Sequence, residues 1–432
     1  MTDHKNILIE VPVLSRVEGE GALELSIKDG QIEKLHLRIF EPPRLFEKLL
    51  EGRPYTDVLD IVARICGICP VAYQMSAVHA MDGIFGIRVN PWVRSMRRLL
   101  YCGEWIESHA LHIHLLAAPD FFGFANVVDM AKQYPDEVRR GLKLQSLGNR
   151  LLRLLGGRSV HPVSVCVGGF YSAPAIGAVK SLLKEFKQAL PMAQELVRWT
   201  AAIPLPDDSQ PFTCVALRHP DEYPLNEGRI VSSTGLDIAI DEYANHFAET
   251  QVAHSTALYS HLNGQPYLVG PLARLNLNFD QLPDAVRQLA ADSGIQLPSQ
   301  NMFQSVVARA VEIYYALLEA IRIMEQYELP SASCAEYSPH AGVGYGCTEA
   351  PRGILWHRYE LNAQGDVVQA TIIPPTSQNQ ARIEQDLRAS LTSFGLDHDD
   401  DALRLRCETV IRNYDPCISC ATHFLKLKVN RS

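Results

Sequence analysis

The segment Arg64-Ile65-Cys66-Gly67-Ile68-Cys69-Pro70 places two thiols three positions apart, and Asp415-Pro416-Cys417-Ile418-Ser419-Cys420 repeats that spacing near the other end of the chain. Two such pairs can supply four thiolates to one soft-metal site. Bare Cys-x-x-Cys spacing favours structural zinc, but zinc ribbons and fingers staple a small local fold with ligands tens of residues apart. Here 348 positions separate Cys69 from Cys417. A large folded body does not need such a staple, so the pairs read as a functional metal or redox site joining residues near both termini.

Length alone suggests about three domains. A site built from both ends argues instead for a single unit over residues 1–432, α+β in class and predominantly α-helical, a long-helix body with small β-hairpins. Leu23, Leu25 and Ile27 alternate on one predicted strand and Leu35, Leu37 and Ile39 on the next, with Asp29-Gly30 as the turn between them. A second hairpin is expected from about Trp356 to Ile373 around Gln364-Gly365-Asp366, stopped by Pro374-Pro375. After the cap candidate Asn301, apolar residues recur at helical spacing from Phe303 through Val307, Val311, Tyr314 and Leu318 to Ile321. Similar spacing predicts helices near 93–118, 180–202 and 245–262, and surface loops are expected near 203–224 and 395–401. Gly342-x-Gly344-x-Gly346 lacks a following helical pattern and reads as a flexible turn, not a nucleotide loop.

Composition narrows the function. The 432 residues are 47% apolar and 21% charged, those of a globular protein, and the net charge of -9 offers phosphate backbones no overall attraction. Nucleic acid is not an expected partner, because no stretch interleaves Lys or Arg with aromatics. The apolar stretch 151–179 is broken by Arg153, Arg158, His161 and several Gly and Pro, so no membrane span is expected. The N-terminus has no signal-peptide pattern, and ten cysteines with two close pairs fit a reducing cytoplasm better than a disulfide framework.

The residues around the cysteines carry a resemblance. RICGICP with the following VAYQMSAVHAMD, and DPCISCATH, are similar to the two metal-binding motifs of nickel-iron hydrogenase large subunits. RVEGE at 16–20, PRLFEKLLEGR at 43–53, HPVSVCVGG at 161–169 and EAPRGILWH at 349–357 agree with that family in order, so the resemblance spans nearly the whole chain. It implies the large-subunit fold and reversible heterolytic cleavage of H2 at a nickel-iron centre whose iron also carries cyanide and carbon monoxide. Cys66 and Cys417 would be terminal nickel ligands, and Cys69 and Cys420 would bridge nickel to iron; soft thiolates suit both metals.

The resemblance assigns further roles. Glu18 matches a relay carboxylate that takes the proton from the Cys417 thiol, although an unplaced Glu is ordinarily a surface residue. Arg352, after Pro351, matches an arginine over the metals, with Asp415 as its partner; outside the motif it would be a plain turn arginine. Pro375 and Thr376 fall where the family lines the diatomic ligands. Glu47, 19 residues before Cys66, matches a magnesium-binding glutamate, with a carbonyl near Thr371 and the side chain of His423 as further ligands. Alone, Glu47 would be the polar face of an amphipathic helix. The chain departs from the commonest family pattern at Tyr73, Ser108 and Glu20, which stand where many members carry His, Asp and His. His109, His112 and His114 have helical spacing and read as core or interface histidines, not a metal cluster.

The other six cysteines form no further Cys-x-x-Cys run, so electrons must leave through an iron-sulfur small subunit. The wording of RICGICPVAYQMSAVHA and CATHFLKLKV is most similar to the cytoplasmic, bidirectional, NADP-linked sulfhydrogenase branch, which implies partner subunits carrying flavin, iron-sulfur clusters and the NADP site. Residues 424–432 would be a C-terminal extension that a maturation endopeptidase removes after His423, the alternative being a plain terminal strand. Two rivals stay open from the sequence: a complex I quinone-site-like subunit, which shares the fold but lacks the cysteines, and a structural zinc protein.

Overall fold

The computed structural model describes residues 7–42 and 45–422. The chain opens with strands β1 (Ile7–Val11), β2 (Gly21–Lys28) and β3 (Gln31–Ile39), an antiparallel meander in the order β1-β2-β3. Asp29 and Gly30 both adopt positive φ, the two left-handed positions that a tight hairpin of native twist requires. Helices α1 (Phe46–Leu50) and α2 (Tyr55–Val62) lead to the first cysteine pair, which is followed by α3 (Pro70–Ile84) and α4 (Pro91–Leu111). Pro opens both of these helices, where its missing N–H costs nothing. Asn90 caps α4 by accepting from Val93 N at 2.8 Å.

The expected 93–118 helix is interrupted. Residues His112–Ala117 form a π-helical turn, continued by α5 (Ala118–Phe121), α6 (Val127–Gln133) and α7 (Pro135–Gly156). Small strands β4 (Val165–Cys166) and β5 (Gly169–Phe170) precede the 26-residue α8 (Ile176–Ala201). Strands β6 (Val215–Arg218), β7 (Arg229–Ser232) and β8 (Asp237–Ile238), helix α9 (Tyr243–His246), and the pair β9 (Phe247–Gln251) and β10 (Leu258–Leu262) follow. Here the helical reading of 245–262 is corrected: the segment is a hairpin, with Phe247 opposite Leu262 and Gln251 opposite Leu258. Tertiary pairing overrides the local spacing, because the intervening loop is held to the N-terminal sheet by Thr256, whose N and Oγ1 both reach Ile39 O.

After α10 (Pro271–Asn278) and α11 (Asp284–Asp292), Asn301 accepts from Phe303 N and a 3₁₀ turn runs into α12 (Ser305–Glu325). Strands β11 (Gly342–Ala350), β12 (Gly353–Leu361) and β13 (Val367–Ile373) make a second meander, and α13 (Pro375–Phe394), α14 (Asp400–Tyr414) and α15 (Ile418–Ala421) complete the described chain. The glycine-rich run is therefore a strand, not a turn. A Cβ on Gly344 would lie 2.2 Å from Ala80 O and one on Gly346 1.8 Å from Ser76 O, so the glycines let β11 lie against the backbone of α3.

The largest apolar core joins α3, α4, α7, α8 and α12. Helices α4 and α7 approach closely where Gly103 meets Gly148. A second core packs Leu23, Leu25 and Leu37 of the N-terminal sheet against Ile383 and Leu387 of α13 and Val410 and Ile411 of α14. Both cysteine pairs line the first core, and the turn following Cys417 plugs the second with Ile418. Among the described residues no helix is long and apolar enough to cross a membrane.

Candidate metal centre

Cys66 lies in the loop between α2 and α3, Cys69 at the first turn of α3, and Cys417 and Cys420 flank and occupy α15. All four are buried, and their Sγ atoms lie within 4.8 Å of one another. A metal–thiolate bond of about 2.3 Å puts two sulfurs sharing one ion at most about 4.6 Å apart, and the 4.8 Å that bounds this cluster is within a few tenths of an ångström of that reach. Among the described residues it is the one group of three or more His, Cys, Asp or Glu that could hold a metal. Backbone N–H groups of Ile68 and Cys69 point at Cys66 Sγ from 3.3 and 3.2 Å, favouring its thiolate.

Glu18 reaches this cluster from the other end of the chain. Its backbone pairs with Cys417, its carbonyl accepts from Ile418 N at 2.9 Å, and its Oε2 lies 3.2 Å from Cys417 Sγ and 3.0 Å from Ser419 N. The residue is half-buried, so it is in contact with both the thiol and solvent. Gly19 has φ +86° and would place a Cβ 2.6 Å from Glu41 Oε2 and 2.8 Å from Ile418 Cβ, which is why the motif has glycine there. Glu41 in turn accepts from Ser419 Oγ at 2.9 Å, a carboxylate beside the site that the motifs did not single out.

Arg352 lies in the turn between β11 and β12. Its Nε donates to Asp415 O at 2.7 Å and its Nη2 to Asp415 Oδ1 at 3.0 Å, while Nη1 is buried with no hydrogen-bond partner. Burial opposes the guanidinium charge, but Asp415 and the cysteine sulfurs outweigh it and hold Arg352 protonated. Asp415 is shifted down: burial opposes its charge, and the Arg352 and Arg309 guanidiniums overcome it. A buried cation with a spare donor beside four thiols is the arrangement an anionic, hydrogen-bond-accepting metal cluster would satisfy.

The turn itself is set by Arg274 of α10, which the sequence reading missed. Arg274 forms a buried fork with Glu312, donates to Glu349, and donates to the carbonyls of Ala350 and Pro351 at 2.8 and 3.0 Å. Pro375 and Thr376 open α13; Thr376 Oγ1 accepts from Cys417 N at 3.0 Å. Tyr73 is fully buried with its hydroxyl unbonded, and the electrostatic influence of Cys420, Cys69 and Cys417 adds to burial in raising its pKa.

Glu47 lies on α1 with its Oε1 accepting from Ile372 N at 2.6 Å. It lines a cavity of about 450 Å³ together with Thr371, Cys420, Thr422 and Glu249. Burial, then the charge of Glu47, pushes Glu249 up to about 8, and burial raises Glu47. No local pattern marks Glu249, a single carboxylate on a short strand. His423 and the 424–432 tail lie outside the described residues. The three histidines are dispersed: His109 bonds Glu312, His112 the Arg412 carbonyl and His114 the Ala110 carbonyl.

The sequence profile of the nickel-dependent hydrogenases matches residues 44–140 and 241–423. The chain is 32% identical to the sulfhydrogenase 1 alpha subunit of Pyrococcus furiosus, over 98% of this chain and 100% of that one. It is 30% identical to a subunit of the F420-non-reducing hydrogenase of Methanothermobacter thermautotrophicus, covering 95% and 93%. Among solved structures, an NAD+-reducing [NiFe]-hydrogenase in the H2-reduced state superposes with a TM-score of 0.87 at 26% identity, covering 96% and 99%.

Proposed function

The chain belongs to the nickel-dependent hydrogenase family as a catalytic large subunit, and from that premise we propose that Cys66, Cys69, Cys417 and Cys420 hold a nickel-iron centre at which H2 is reversibly cleaved. The supporting observation is the convergence of four buried sulfurs from opposite ends of the chain, with Glu18 on one of them and Arg352 beside them. Bound there, the centre would supply the polarisation that separates H2 into two protons and two electrons. Cys66, Cys69, Cys417 and Cys420 would hold it through their thiolates, Cys66 and Cys417 in the terminal role and Cys69 and Cys420 in the bridging role that the resemblance assigns them. The residues suit such a group, since soft thiolates favour nickel and iron and the spare Arg352 donor suits a cyanide on the iron.

The protein's own part is proton transfer and positioning. Glu18 Oε2 is within hydrogen-bond reach of Cys417 Sγ, so it takes the proton there and passes it outward along its half-exposed side. Arg352, locked by Asp415 and by the turn that Arg274 holds, keeps one donor aimed without rotamer freedom. Pro351, Pro375 and Thr376 would line the space for the iron's diatomic ligands, carbon monoxide included. Glu47 and the carbonyl of Thr371, at the cavity that Cys420 also lines, would hold a magnesium ion, with His423, outside the described residues, as the further ligand.

With no second cluster of metal-binding side chains among the described residues, electrons leave to an iron-sulfur small subunit, and the motif wording that resembles the NADP-linked branch supports flavin- and iron-sulfur-containing subunits that reduce NADP. Ten free cysteines suit a cytoplasmic complex. Lys426, Lys428 and Arg431 resist desolvation close in sequence to the buried segment Asp415–Thr422, and on that ground an endopeptidase removes the 424–432 tail after His423. Elemental analysis of the purified complex tests the core reading. Nickel and iron with H2-dependent NADP reduction are expected; stoichiometric zinc without iron overturns it.

A further inference from the structure

The first turn of α3 raises an accounting question. An α-helix begins with backbone donors that have no partner within it, and these are ordinarily served by the side chain at the N-cap. In α3 that position is Cys69, whose side chain makes no capping bond. Pro70 has no N–H, and Cys69 N is directed at Cys66 Sγ. The donors left are Val71 N and Ala72 N, both in residues with no exposed surface, where an unserved N–H costs about 1–3 kcal/mol.

Both are taken by one side chain from another helix. Glu104 of α4, fully buried, accepts from Val71 N at 2.6 Å with Oε2 and from Ala72 N at 3.1 Å with Oε1. Its mounting is rigid. Gly103, next to it, meets α7 at Gly148, and the following Trp105 donates to Glu349 O at 3.0 Å beneath the Arg274 guanidinium. One turn back, Tyr101 donates to Thr348 Oγ1 at 2.6 Å, and Thr348 contacts Ser76 of α3 at 2.7 Å. Helices α3 and α4 are thereby tied at two levels, and the upper tie lies directly behind the first cysteine pair.

We propose that Glu104 is a positioning residue for the H2 reaction: it caps α3 in place of Cys69 and so frees the Cys69 sulfur to join the other three. The inference rests on the proposed nickel-iron role of the cysteines. Metal ligands need orienting partners behind them, and loss of such a partner costs about 10- to 100-fold in metal affinity or activity. Glutamine at 104 offers one acceptor oxygen and turns an NH2 toward the second donor, so it serves half of the turn. Alanine serves neither.

The test uses the complex purified with its partner subunits, as wild type, Glu104→Gln and Glu104→Ala. Three quantities are read: nickel per chain, deuterium uptake of the peptide spanning Val71 and Ala72, and the g-values of nickel by electron paramagnetic resonance. In Glu104→Ala, faster exchange in that peptide and a nickel affinity reduced about 10- to 100-fold are expected. Glu104→Gln lies between it and wild type, retaining nickel with shifted g-values. Where Glu104→Ala does not assemble, Glu104→Gln decides by its exchange and g-values. Faster exchange with unchanged nickel content and g-values overturns the proposal, leaving a merely structural cap, and so does unchanged exchange. A wild-type complex without nickel and iron sinks the metal reading instead, and the exchange experiment then still reports whether Glu104 is the cap.

Discussion

Cys66 and Cys69 lie at the foot of a 15-residue helix that β11 covers and Glu104 caps, whereas Cys417 and Cys420 lie on a four-residue turn near the end of the described chain. Both pairs line the largest core, but the first is carried by a long helix packed within it. The second is held by contacts reached across the whole sequence: Glu18 from strand-like backbone pairing, Thr376 from the start of α13, and Asp415 through Arg352. One arm is scaffold and the other a latch. The difference teaches how a buried four-thiol site divides its supports: one half rests on a long helix and the other on contacts drawn from distant parts of the sequence.

The harshest way to break the comparison is to remove a latch sulfur. Cys417→Ser replaces a soft thiolate with a hard, weakly acidic hydroxyl and is expected to abolish H2 activation through loss of nickel. Normal turnover with normal metal content would dismiss the ligand assignment. Glu18→Gln is expected to be milder and more specific. The amide keeps the shape and still accepts from Ser419 N but cannot carry a proton, so metals stay while H2/D+ exchange falls roughly 10²- to 10⁴-fold, the usual worth of a positioned acid–base group. Unchanged exchange takes Glu18 out of the relay.

Paired glycine substitutions sharpen the distinction between scaffold and latch. Gly346→Ala drives a Cβ into the backbone of Ser76 at 1.8 Å, so α3 must shift. A loss of about 1–3 kcal/mol, as for an overpacked core, is expected in thermal unfolding. Gly19→Ala instead strains φ +86° and pushes on Ile418 and Glu41, so nickel retention should fall while the melting of the body barely moves. Equal melting losses in the two variants would argue that the latch is part of the same cooperative core.

Sequence patterning revealed these arms unevenly. The cysteine pairs, Glu18, Arg352 and Asp415 were legible because each lies in a short motif, and the first hairpin because Asp29-Gly30 admits few other readings. Segment 245–262 was not, since its apolar spacing suits a helix and only pairing of Phe247 with Leu262 and the hold of Thr256 on Ile39 make it a hairpin. The glycines of β11 suggested a turn because the sequence does not show the helix they make room for. Glu104, Glu249 and Arg274 are invisible for a common reason. Each is one polar residue on an ordinary element, and its role is created by a partner 32 or more positions away.

The smallest effect concerns the junction of the two arms. His112 opens the π-helical turn after α4, and its Nε2 donates to the carbonyl of Arg412, three residues before Asp415. Its Nδ1 is buried without a partner, so the ring is neutral in the folded chain. Burial, then the Arg309 guanidinium, brings its pKa from 6.5 down to about 3. An unfolded chain takes up that proton near pH 6.5 and the folded chain does not, so the stabilising contribution is complete above about 6.5 and is lost as pH falls toward 3, at a limiting slope of about 1.4 kcal/mol per pH unit. His79, His114 and His357, also at about 3, and His109 at about 4, act in the same direction. Replacing His112 alone should therefore shallow the acid slope without removing it. His112→Gln keeps a donor for the Arg412 carbonyl and cannot titrate. Its melting should match wild type near pH 8 and be less acid-sensitive by roughly 1 kcal/mol near pH 5.5; parallel curves for the two proteins would show that the junction does not carry this proton sensitivity.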